Sequence, residues 1–309
     1  MRGRGFTLVE LLVALGIGGL LLGLLLSTTL GNRRLYVLDR DRTAVNQNLR
    51  AVLDILAADI RQAGERLPGD FPAVEVRNGN LILRRNLLDM VLTVCDPNGI
   101  NGNQDNIPVA DRNPPGNATR DYLEACAFRD TDGNGYDDRI DAWREYRCNS
   151  DGVPGCNTGN RQEVVRAYIY DPVNKRGEWF EYDAEDESGV EIHKGNNERW
   201  QNSYGPLSRL YILEERRYYL EVDYLGRGIL KLAENGQEGK GLVADVGLQV
   251  RVRANGSWYR VFPPPHLPRH LTNPNWRTLE AVEATVYMHI GSVTRTMTTQ
   301  AVPRNVFSQ

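Results

Sequence analysis

Residues 5–27 read GFTLVELLVALGIGGLLLGLLLS, and this stretch decides how the N-terminal part of the chain folds. From Phe6 to Leu30 all residues are apolar or small except for one charge, Glu10. About 20 apolar residues suffice for a helix to cross a bilayer. A carboxylate within such a helix costs roughly 2.5–3.5 kcal/mol even on a lenient insertion scale. A plain membrane anchor has no reason to carry that cost, so Glu10 indicates a specific partner.

The residues before the apolar stretch distinguish it from a secretory signal peptide. A signal peptide places its small-residue cleavage site after the apolar stretch. Here Gly5 comes before that stretch, behind the basic residues Arg2 and Arg4. The arrangement predicts cleavage on the cytoplasmic side of the membrane, after which the apolar helix is kept. The alternative is an ordinary membrane anchor.

A short basic leader, a glycine, Phe-Thr-Leu-x-Glu and an apolar helix together resemble the N-terminus of type IV pilins and pseudopilins. The resemblance implies that a prepilin peptidase cuts between Gly5 and Phe6 and methylates the new amino group of Phe6. It also implies that Glu10 pairs with the positive amino terminus of a neighbouring pilin during assembly, since a paired charge is penalised less in lipid. The expected protein crosses the inner membrane once and later reaches the periplasm or cell surface in a pilus.

The helix is expected to continue beyond the membrane segment. Residues 45–68, VNQNLRAVLDILAADIRQAGERLP, repeat their apolar side chains at helical spacing, with Asp and Arg on the other face. Gly64 is a natural C-cap, and Pro68 prevents the helix from resuming. One helix from Phe6 to about Ala63 would be roughly 87 Å long at 1.5 Å per residue. The expected buried stripe consists of Val45, Leu49, Val52, Leu53, Leu56, Ile60 and Ala63.

After Pro68 the apolar residues alternate with a period of two, which is typical of half-buried strands. Examples are LILRR (81–85), VVRAYIY (164–170) and GILKLA (228–233). A strand predicted to begin at residue 246 ends at Asn255-Gly256, the strongest short hairpin signal. The expected fold class is α+β and type IV pilin-like, with a long N-terminal helix packed on an antiparallel β-sheet headgroup.

The chain therefore divides into expected segments along its length. They are a leader (1–5), an apolar transmembrane and polymerisation helix (6–30), its amphipathic continuation (31–64) and a β-rich headgroup (65–309) that contains an insertion (95–160). A membrane span followed by a separate helix, broken at Gly31-Asn32, is the alternative to one continuous helix. The formal net charge of −3 over 309 residues gives no indication of nucleic-acid binding.

Patterns near the two ends refine the resemblance. The segment LRAVLDILAADIRQAG (49–64), the strand VGLQVRV (246–252), Trp276, Arg295 and the closing VPRN (302–305) resemble PilW-type minor pilins, which are relatives of the J-type minor pseudopilins. This implies a minor pilin that helps prime assembly of a type IV pilus and supports twitching motility, adhesion or DNA uptake. A minor pseudopilin of a type II secretion system and an anchored calcium-dependent adhesin are the alternatives.

Four cysteines, Cys95, Cys126, Cys148 and Cys156, lie within the insertion or at its start. In an exported chain an even, clustered set is typical of disulfides. The shortest closures, Cys95–Cys126 and Cys148–Cys156, are favoured, and a Cys126–Cys148 bridge is a rival pairing. Four free thiols or a zinc site are the other interpretations, although a zinc site is disfavoured because no Cys-x-x-Cys spacing occurs.

The insertion contains DTDGNGYDDRID, residues 130–141, which has the spacing of a calcium-binding loop. Gly135 stands at position 6, where such a loop turns sharply. The usual bidentate Glu at position 12 is replaced by a shorter Asp. We therefore expect a structural Ca²⁺ that orders a loop with little apolar content, with a plain solvated loop as the alternative. The expected ligands are the side chains of Asp130, Asp132, Asn134, Asp138 and Asp141 and the backbone carbonyl of Tyr136.

Other polar clusters give weaker signals. Residues 96–106 could form a second, irregular calcium site through Asp96, Asn98, Asn101 and Asp105. His266 and His270 are not expected to bind zinc, because Pro268 between them prevents the helix on which such a pair would share a face, while His193 and His289 are interpreted as surface and strand residues. The acidic run of residues 181–187 is interpreted as a solvated face. No arrangement typical of nucleophilic catalysis or phosphate binding occurs, so the chain is not expected to be an enzyme.

Overall fold

The structure is a computed structural model that describes residues 7–150, 156, 163–186, 188–195, 199–264 and 276–304. Helix α1 (Leu8–Gln62) is continuous and does not break at Gly31-Asn32. Its second half buries every residue of the predicted apolar stripe, from Val45 to Ala63. After the C-cap residue Ala63, Gly64 takes a φ of +80°, which a residue with a Cβ rarely adopts. The predicted helix and its end are therefore confirmed.

The described part of the headgroup contains fifteen strands and two short helices. In chain order they are β1 (Val74–Arg77), β2 (Asn80–Asn86), β3 (Leu92–Thr93), β4 (Asn106–Pro108), α2 (Arg120–Cys126), α3 (Asp138–Cys148), β5 (Val165–Asp171), β6 (Arg176–Glu185), β7 (Glu191–Lys194), β8 (Arg209–Tyr211), β9 (Leu213–Val222), β10 (Gly228–Glu234), β11 (Lys240–Ala244), β12 (Val246–Ala254), β13 (Ser257–Tyr259), β14 (Leu279–Ile290) and β15 (Val293–Ala301). A single 3₁₀ turn, Trp276–Thr278, precedes β14.

Three antiparallel sheets result. The first has the order β1-β2-β9-β10-β11, the second β13-β12-β14-β15 and the third β3-β8-β5-β6-β7-β4. The predicted hairpin at Asn255-Gly256 joins β12 to β13, and both turn residues have positive φ. On β12, the side chains of Leu248, Val250 and Val252 face inward in alternation, as the sequence predicts.

The first two sheets and the second half of α1 enclose one apolar core. The hairpin of β14 and β15 runs alongside the second half of α1. Its turn contacts the start of that half, and the residues after β15 contact the end of it. At one end, the turn at Gly291 lies against Asp41 of α1. At the other end, the backbone N–H of Arg304 donates to the carbonyl of Ala63 at 2.9 Å. The membrane-proximal end of the headgroup is therefore the end that carries the β14–β15 turn.

A buried polar network joins the C-terminal end of α1 to β9. Asp59, only 6% exposed, accepts a hydrogen bond from Nη1 of Arg216 at 2.5 Å and another from the hydroxyl of Tyr218. Burial and then the bond to Asp59 raise the pKa of Tyr218 above its usual value, so the hydroxyl stays protonated and keeps donating. Nearby, Arg85 donates to Gln62 at 2.6 Å and pairs with Glu214. Charged side chains as well as apolar ones therefore fix α1 to the headgroup.

The third sheet has its own apolar core, and a smaller cluster around Phe71, Tyr170 and Tyr211 joins it to the rest of the headgroup. The described residues of segment 95–160, the predicted loop insertion, form β4, α2 and α3, and β4 pairs with β7, which follows residue 160. Trp143 of α3 is fully buried against Tyr182 of β6, with ring centroids 5.5 Å apart. The insertion is therefore not a free loop, because α3 packs on a sheet that extends to residue 211.

Candidate functional site

The first candidate site is the N-terminus of α1. Thr7 is the N-cap, and its hydroxyl accepts a hydrogen bond from the backbone N–H of Glu10 at 3.3 Å. In return, the carboxylate of Glu10 accepts from the backbone N–H of Thr7 at 2.9 Å and from its hydroxyl at 3.0 Å. This is a capping box, which satisfies backbone donors that a helix start leaves free. The predicted processing residues Gly5 and Phe6 lie outside the described residues.

The side chain of Glu10 is exposed on this helix, so the capping box does not bury it. A carboxylate offers about four acceptor positions. The bonds to Thr7 use two of them and orient the group at the start of the helix. Glu10 therefore has a role within its own chain that the sequence analysis missed, and it keeps acceptor capacity for a positive group of a neighbour.

The first half of α1 is not buried by any other described part of the chain. Its leucines are mostly more than half exposed, for example Leu20 at 71% and Leu25 at 63%, and the helix is long and apolar enough to span a membrane. The basic residues Arg33 and Arg34 follow the apolar segment. Since an exposed apolar helix of this length is not stable in water, this half requires lipid or other helices around it.

The second candidate site is the loop of residues 130–141, which lies between α2 and α3. Helix α3 begins at Asp138, so positions 9 to 12 of the loop form the first turn of the exiting helix. Asp130 accepts the backbone N–H groups of Gly133 at 2.6 Å and Gly135 at 3.0 Å, which folds the loop back on its first residue. Gly135 has a φ of +92° and makes the predicted sharp turn.

Two of the predicted ligands, Asp132 and Asp141, accept hydrogen bonds from a third, Asn134. The amide Nδ2 of Asn134 donates to Oδ2 of Asp132 at 3.0 Å and to Oδ2 of Asp141 at 2.8 Å. Asp138, by contrast, accepts from the backbone N–H of Thr131 at 2.9 Å. Among the described residues, no three carboxylates of this loop lie within 4.8 Å of one another. The donor set is entirely oxygen and fits a hard cation, but the carboxylates are not yet gathered around a single point.

On its outer side, the loop is attached to the turn between β6 and β7, and Arg112 bridges the two. The guanidinium of Arg112 donates to the carbonyls of Gly135 at 2.6 Å and Ser188 at 2.8 Å. Gly189 approaches Gly135 so closely that a Cβ there would collide with the Gly135 carbonyl. The Tyr136 ring, in turn, stacks against the guanidinium of Arg144 at 4.9 Å. These contacts fix the loop on the third sheet without using the oxygens predicted to bind a metal.

Asp137 is an important residue that the sequence analysis missed. It is fully buried, caps α3, and binds the guanidinium of Arg139 at 2.7 Å. Burial raises its pKa, but hydrogen bonds from Arg139 and from backbone N–H groups outweigh this, so the pKa of Asp137 lies below its usual value. Its position directly before a helical stretch was the available signal, because Asp is a favoured N-cap residue.

Comparison with known proteins bears on the N-terminal site. Residues 1–26 match the family model of the prokaryotic N-terminal methylation motif. The N-terminal segment of the protein is type IV pilin-like. No curated protein and no solved structure gives a significant match to the chain. With this motif, the apolar helix is a single-pass inner-membrane anchor before assembly, and the motif suggests processing by a prepilin peptidase.

The headgroup contains two disulfides, and they follow the shortest closures. Cys95 pairs with Cys126, and Cys148 pairs with Cys156, with Cα–Cα distances of 5.6 and 4.4 Å. The hydroxyl of Tyr122 braces the first disulfide by donating to the carbonyl of Cys95 at 2.9 Å. Glu163 lies near the sulfurs of the second pair, but these are bonded to each other and leave no thiolate for a metal.

The weaker polar clusters have structural partners. Asp105 of the second loop lies 3.5 Å from the buried ammonium of Lys194, which already supplies a positive charge there. His193 contacts Asp183 at 2.7 Å, and His289 contacts Thr294 at 2.8 Å. His266 and His270 lie outside the described residues.

The interpretation of the acidic run as a solvated face is wrong for two of its members. Asp183 is buried beside His193, and the side chain of Glu185 is 6% exposed, where it binds Arg147 at 2.8 Å. These two carboxylates lie at the end of β6, where the pairing with β7 shifts register between Tyr182 and Ala184, and they meet basic partners from β7 and α3. Glu187 lies outside the described residues.

Proposed function

We propose that this chain is a minor pilin, a subunit of low abundance that helps to prime the assembly of a type IV pilus. The observation that carries the proposal is the division of α1 into two halves. The first half carries the methylation motif, one carboxylate and an unpartnered apolar surface. The second half is buried in a folded headgroup. Such a chain can supply a helix to a filament core while its headgroup remains an independent folded body.

The size of the headgroup favours a minor over a major subunit. A third sheet of six strands, with α2 and α3 on it, is added to the two sheets that hold α1. In the repeating shaft of a filament, every headgroup must fit between its neighbours. An additional sheet would therefore have to be accommodated at every position along the shaft. A subunit at a single position, such as a tip, does not have this restriction. Support of twitching motility, adhesion or DNA uptake would follow from a role in assembly.

The proposal can be tested with two variants of the N-terminal site. Glu10→Ala removes both the charge and its part in the capping box, whereas Thr7→Ala removes the hydroxyl cap but keeps the charge. Both changes are introduced at the native locus, and sheared pili are quantified by mass spectrometry. We expect both variants to reach the membrane and only Glu10→Ala to lose most of its incorporation. Normal incorporation of Glu10→Ala would contradict the proposed pairing.

A minor pseudopilin of a type II secretion system is the second candidate, because the matched methylation motif occurs on both kinds of subunit. Deletion of the gene separates them. The minor-pilin proposal expects fewer surface pili with normal export of secreted enzymes. Loss of export with normal pili would instead favour the pseudopilin. The ratio of this chain to the main pilin in sheared filaments is a further test. Equal amounts of the two would exclude a minor subunit.

We propose in addition that residues 130–141 bind a structural Ca²⁺. The support is the spacing of five oxygen-bearing side chains and the position of the loop before α3, which together give an all-oxygen donor set. Asp132 and Asp141 already point at one amide, and rotation of the Asn134 side chain would present its oxygen to the same place. Bound calcium would hold the entry to α3 and, through Trp143, the adjacent core of the third sheet.

A further inference from the structure

The turn between β9 and β10 presents an unusual surface. Val222, Tyr224 and Leu225, here called the apolar tip, are 67%, 93% and 59% exposed. Turns are normally polar, and neighbouring exposed apolar side chains mark contact sites more often than single ones do. None of these three side chains packs into an apolar core of the described chain. The question is what covers them.

The apolar tip is held in a fixed shape. The carboxylate of Asp223 accepts the backbone N–H groups of Leu225 at 2.9 Å and Arg227 at 2.8 Å, and it also accepts Nε of Arg227 at 2.8 Å. Gly226 completes the turn with a φ of +78°. Because the backbone is already ordered, contact with a partner costs little additional conformational entropy.

The apolar tip lies at the membrane-proximal end of the headgroup. Gly228, the first residue of β10, lies directly against the carbonyl of Val246, the first residue of β12. Val246 pairs with Met288, two residues before the end of β14. The turn that follows β14 touches Asp41 of α1, on the side where the helix leads to the membrane. The tip therefore extends from the headgroup in the direction of the bilayer.

The length of the apolar segment favours a tilted helix. The helical residues 8–30 span about 34 Å at 1.5 Å per residue, whereas the hydrocarbon core of a bilayer is about 30 Å thick. A tilt of about 30° removes this mismatch and lies within the range observed for transmembrane helices. Asp41, about 16 Å along the axis from Leu30, then stands about 14 Å above the hydrocarbon boundary.

Tilting toward the headgroup lowers the apolar tip further. The tip lies beyond β12, which is one strand away from β14, so it is roughly 15 Å from the axis of α1 by the usual strand and layer spacings. At a tilt of about 30°, a point at that distance descends by about 7–8 Å. The polar headgroup layer of a bilayer is itself about 5–7 Å deep on each side. The tip therefore reaches this layer.

We propose that the apolar tip is a lipid-contact site, which inserts Val222, Tyr224 and Leu225 into the headgroup layer of the membrane that α1 spans before assembly. Tyr is well suited to this depth, because its ring is apolar and its hydroxyl stays in the polar layer. The contact holds the folded headgroup of the membrane-bound subunit against the lipid surface and keeps α1 tilted. Entry into a filament would then require the tip to leave the lipid. The proposal depends on the membrane anchor alone and not on the kind of filament.

The test uses the full chain in nanodiscs of phosphatidylethanolamine and phosphatidylglycerol. All four cysteines are in disulfides, so Tyr224→Cys introduces a single site for a nitroxide spin label. The matched control is Val173→Cys, at an 84% exposed valine in the β5–β6 turn. That turn lies near the far end of α1, since Tyr170 donates to the carbonyl of Asp70 at 3.4 Å. Accessibility to oxygen and to a water-soluble nickel chelate is measured for both labels.

We expect the ratio of oxygen to nickel accessibility to be at least threefold higher at position 224 than at position 173. In a second variant, Val222→Ser combined with Leu225→Ser, the label at position 224 should lose most of this difference. Equal ratios at the two positions would overturn the proposal. So would a label at position 224 that is shielded from both reagents, because that result indicates contact with protein instead of lipid.

Discussion

The two halves of α1 have the same backbone and opposite relations to the rest of the chain. In the second half, Leu49, Leu56 and Ile60 are fully buried by the headgroup. In the first half, leucines of the same size, such as Leu22 at 63% exposed, are not buried by any other described element. Helix propensity does not explain this difference, because the first half contains five glycines, which are poor helix formers, and is nevertheless helical. The halves differ in what covers their apolar surfaces: the headgroup of the same chain covers the second half, whereas the first half requires lipid or helices of other chains.

This comparison shows which parts of the protein are complete within one chain. The second half of α1 is stabilised by its own sheets, so its energetics can be measured on the isolated protein. The first half needs lipid or other helices, so its role is visible only in a membrane or a filament. The loop of residues 130–141 resembles the first half in this respect, because it has too little apolar surface to order itself and is proposed to need an ion.

The largest effect is expected at Asp59, where a buried charge fixes the second half of α1. Asp59→Ala leaves the hydroxyl of Tyr218 without its acceptor and deprives Arg216 of one of its carboxylates. Breaking a buried ion pair costs about 3–5 kcal/mol. We expect a loss of that size in the free energy of unfolding, measured by urea titration of the full chain in mild detergent. The control is Asp54→Ala, at an exposed position of the same helix, which should change it by less than about 0.5 kcal/mol.

A matched pair of leucines tests the comparison directly. Leu56→Ala removes a fully buried side chain and should destabilise the headgroup by about 2–5 kcal/mol. Leu22→Ala makes the same chemical change in the membrane half and should leave the unfolding of the headgroup within about 0.5 kcal/mol of the wild type. Unfolding is followed by the fluorescence of the tryptophans. Equal losses in both variants would show that the two halves are not energetically separate.

Calcium should give a smaller, conditional effect. An ion that binds only the folded state at a hundredfold excess over its Kd adds about 2.7 kcal/mol, which corresponds to about 5–10 °C in Tm for a headgroup of this size. The full chain in detergent is melted with millimolar calcium and with chelator. Asp132→Asn and Asp141→Asn keep an acceptor for Asn134 but lose the charge, so each should remove most of the difference.

The control for the calcium experiment is Asp121→Asn, which changes an exposed carboxylate on α2 outside the loop. It should retain the full response to calcium. If the wild-type chain melts at the same temperature with and without chelator, the loop does not bind calcium. The disulfides, Asp137 and Arg112 would then be sufficient to hold the insertion in place.

Local sequence patterns predicted the parts of the fold that depend on local interactions. The helical stripe from Val45 to Ala63 and the hairpin at Asn255-Gly256 follow from spacing and turn chemistry, and both are confirmed. The third sheet could not be predicted in this way. Its edge strands β3 and β4 have only two and three residues and pair with strands about a hundred residues later, and no local pattern specifies such partners.

At the candidate sites, the sequence contained more information than the analysis used. Thr7-x-x-Glu10 is itself a capping-box pattern. It predicts a bond within one chain at the position where the pilin resemblance implies a bond between chains, and the structure contains the former. The inward-facing carboxylates Asp183 and Glu185 were different, because their basic partners His193 and Arg147 come from other elements. Their burial depends on tertiary packing, which a run of acidic letters does not reveal.

The central claim is that this chain is a processed, pilin-like subunit whose apolar helix is retained, and mass spectrometry of the protein from its native membrane tests it most directly. The account predicts a mature chain that begins at Phe6 with a methylated amino group and still contains the whole of α1. An intact chain that begins at Met1, or one cleaved after Leu30, would contradict it. In the first case the N-terminus would be an ordinary anchor, and in the second it would be a signal peptide.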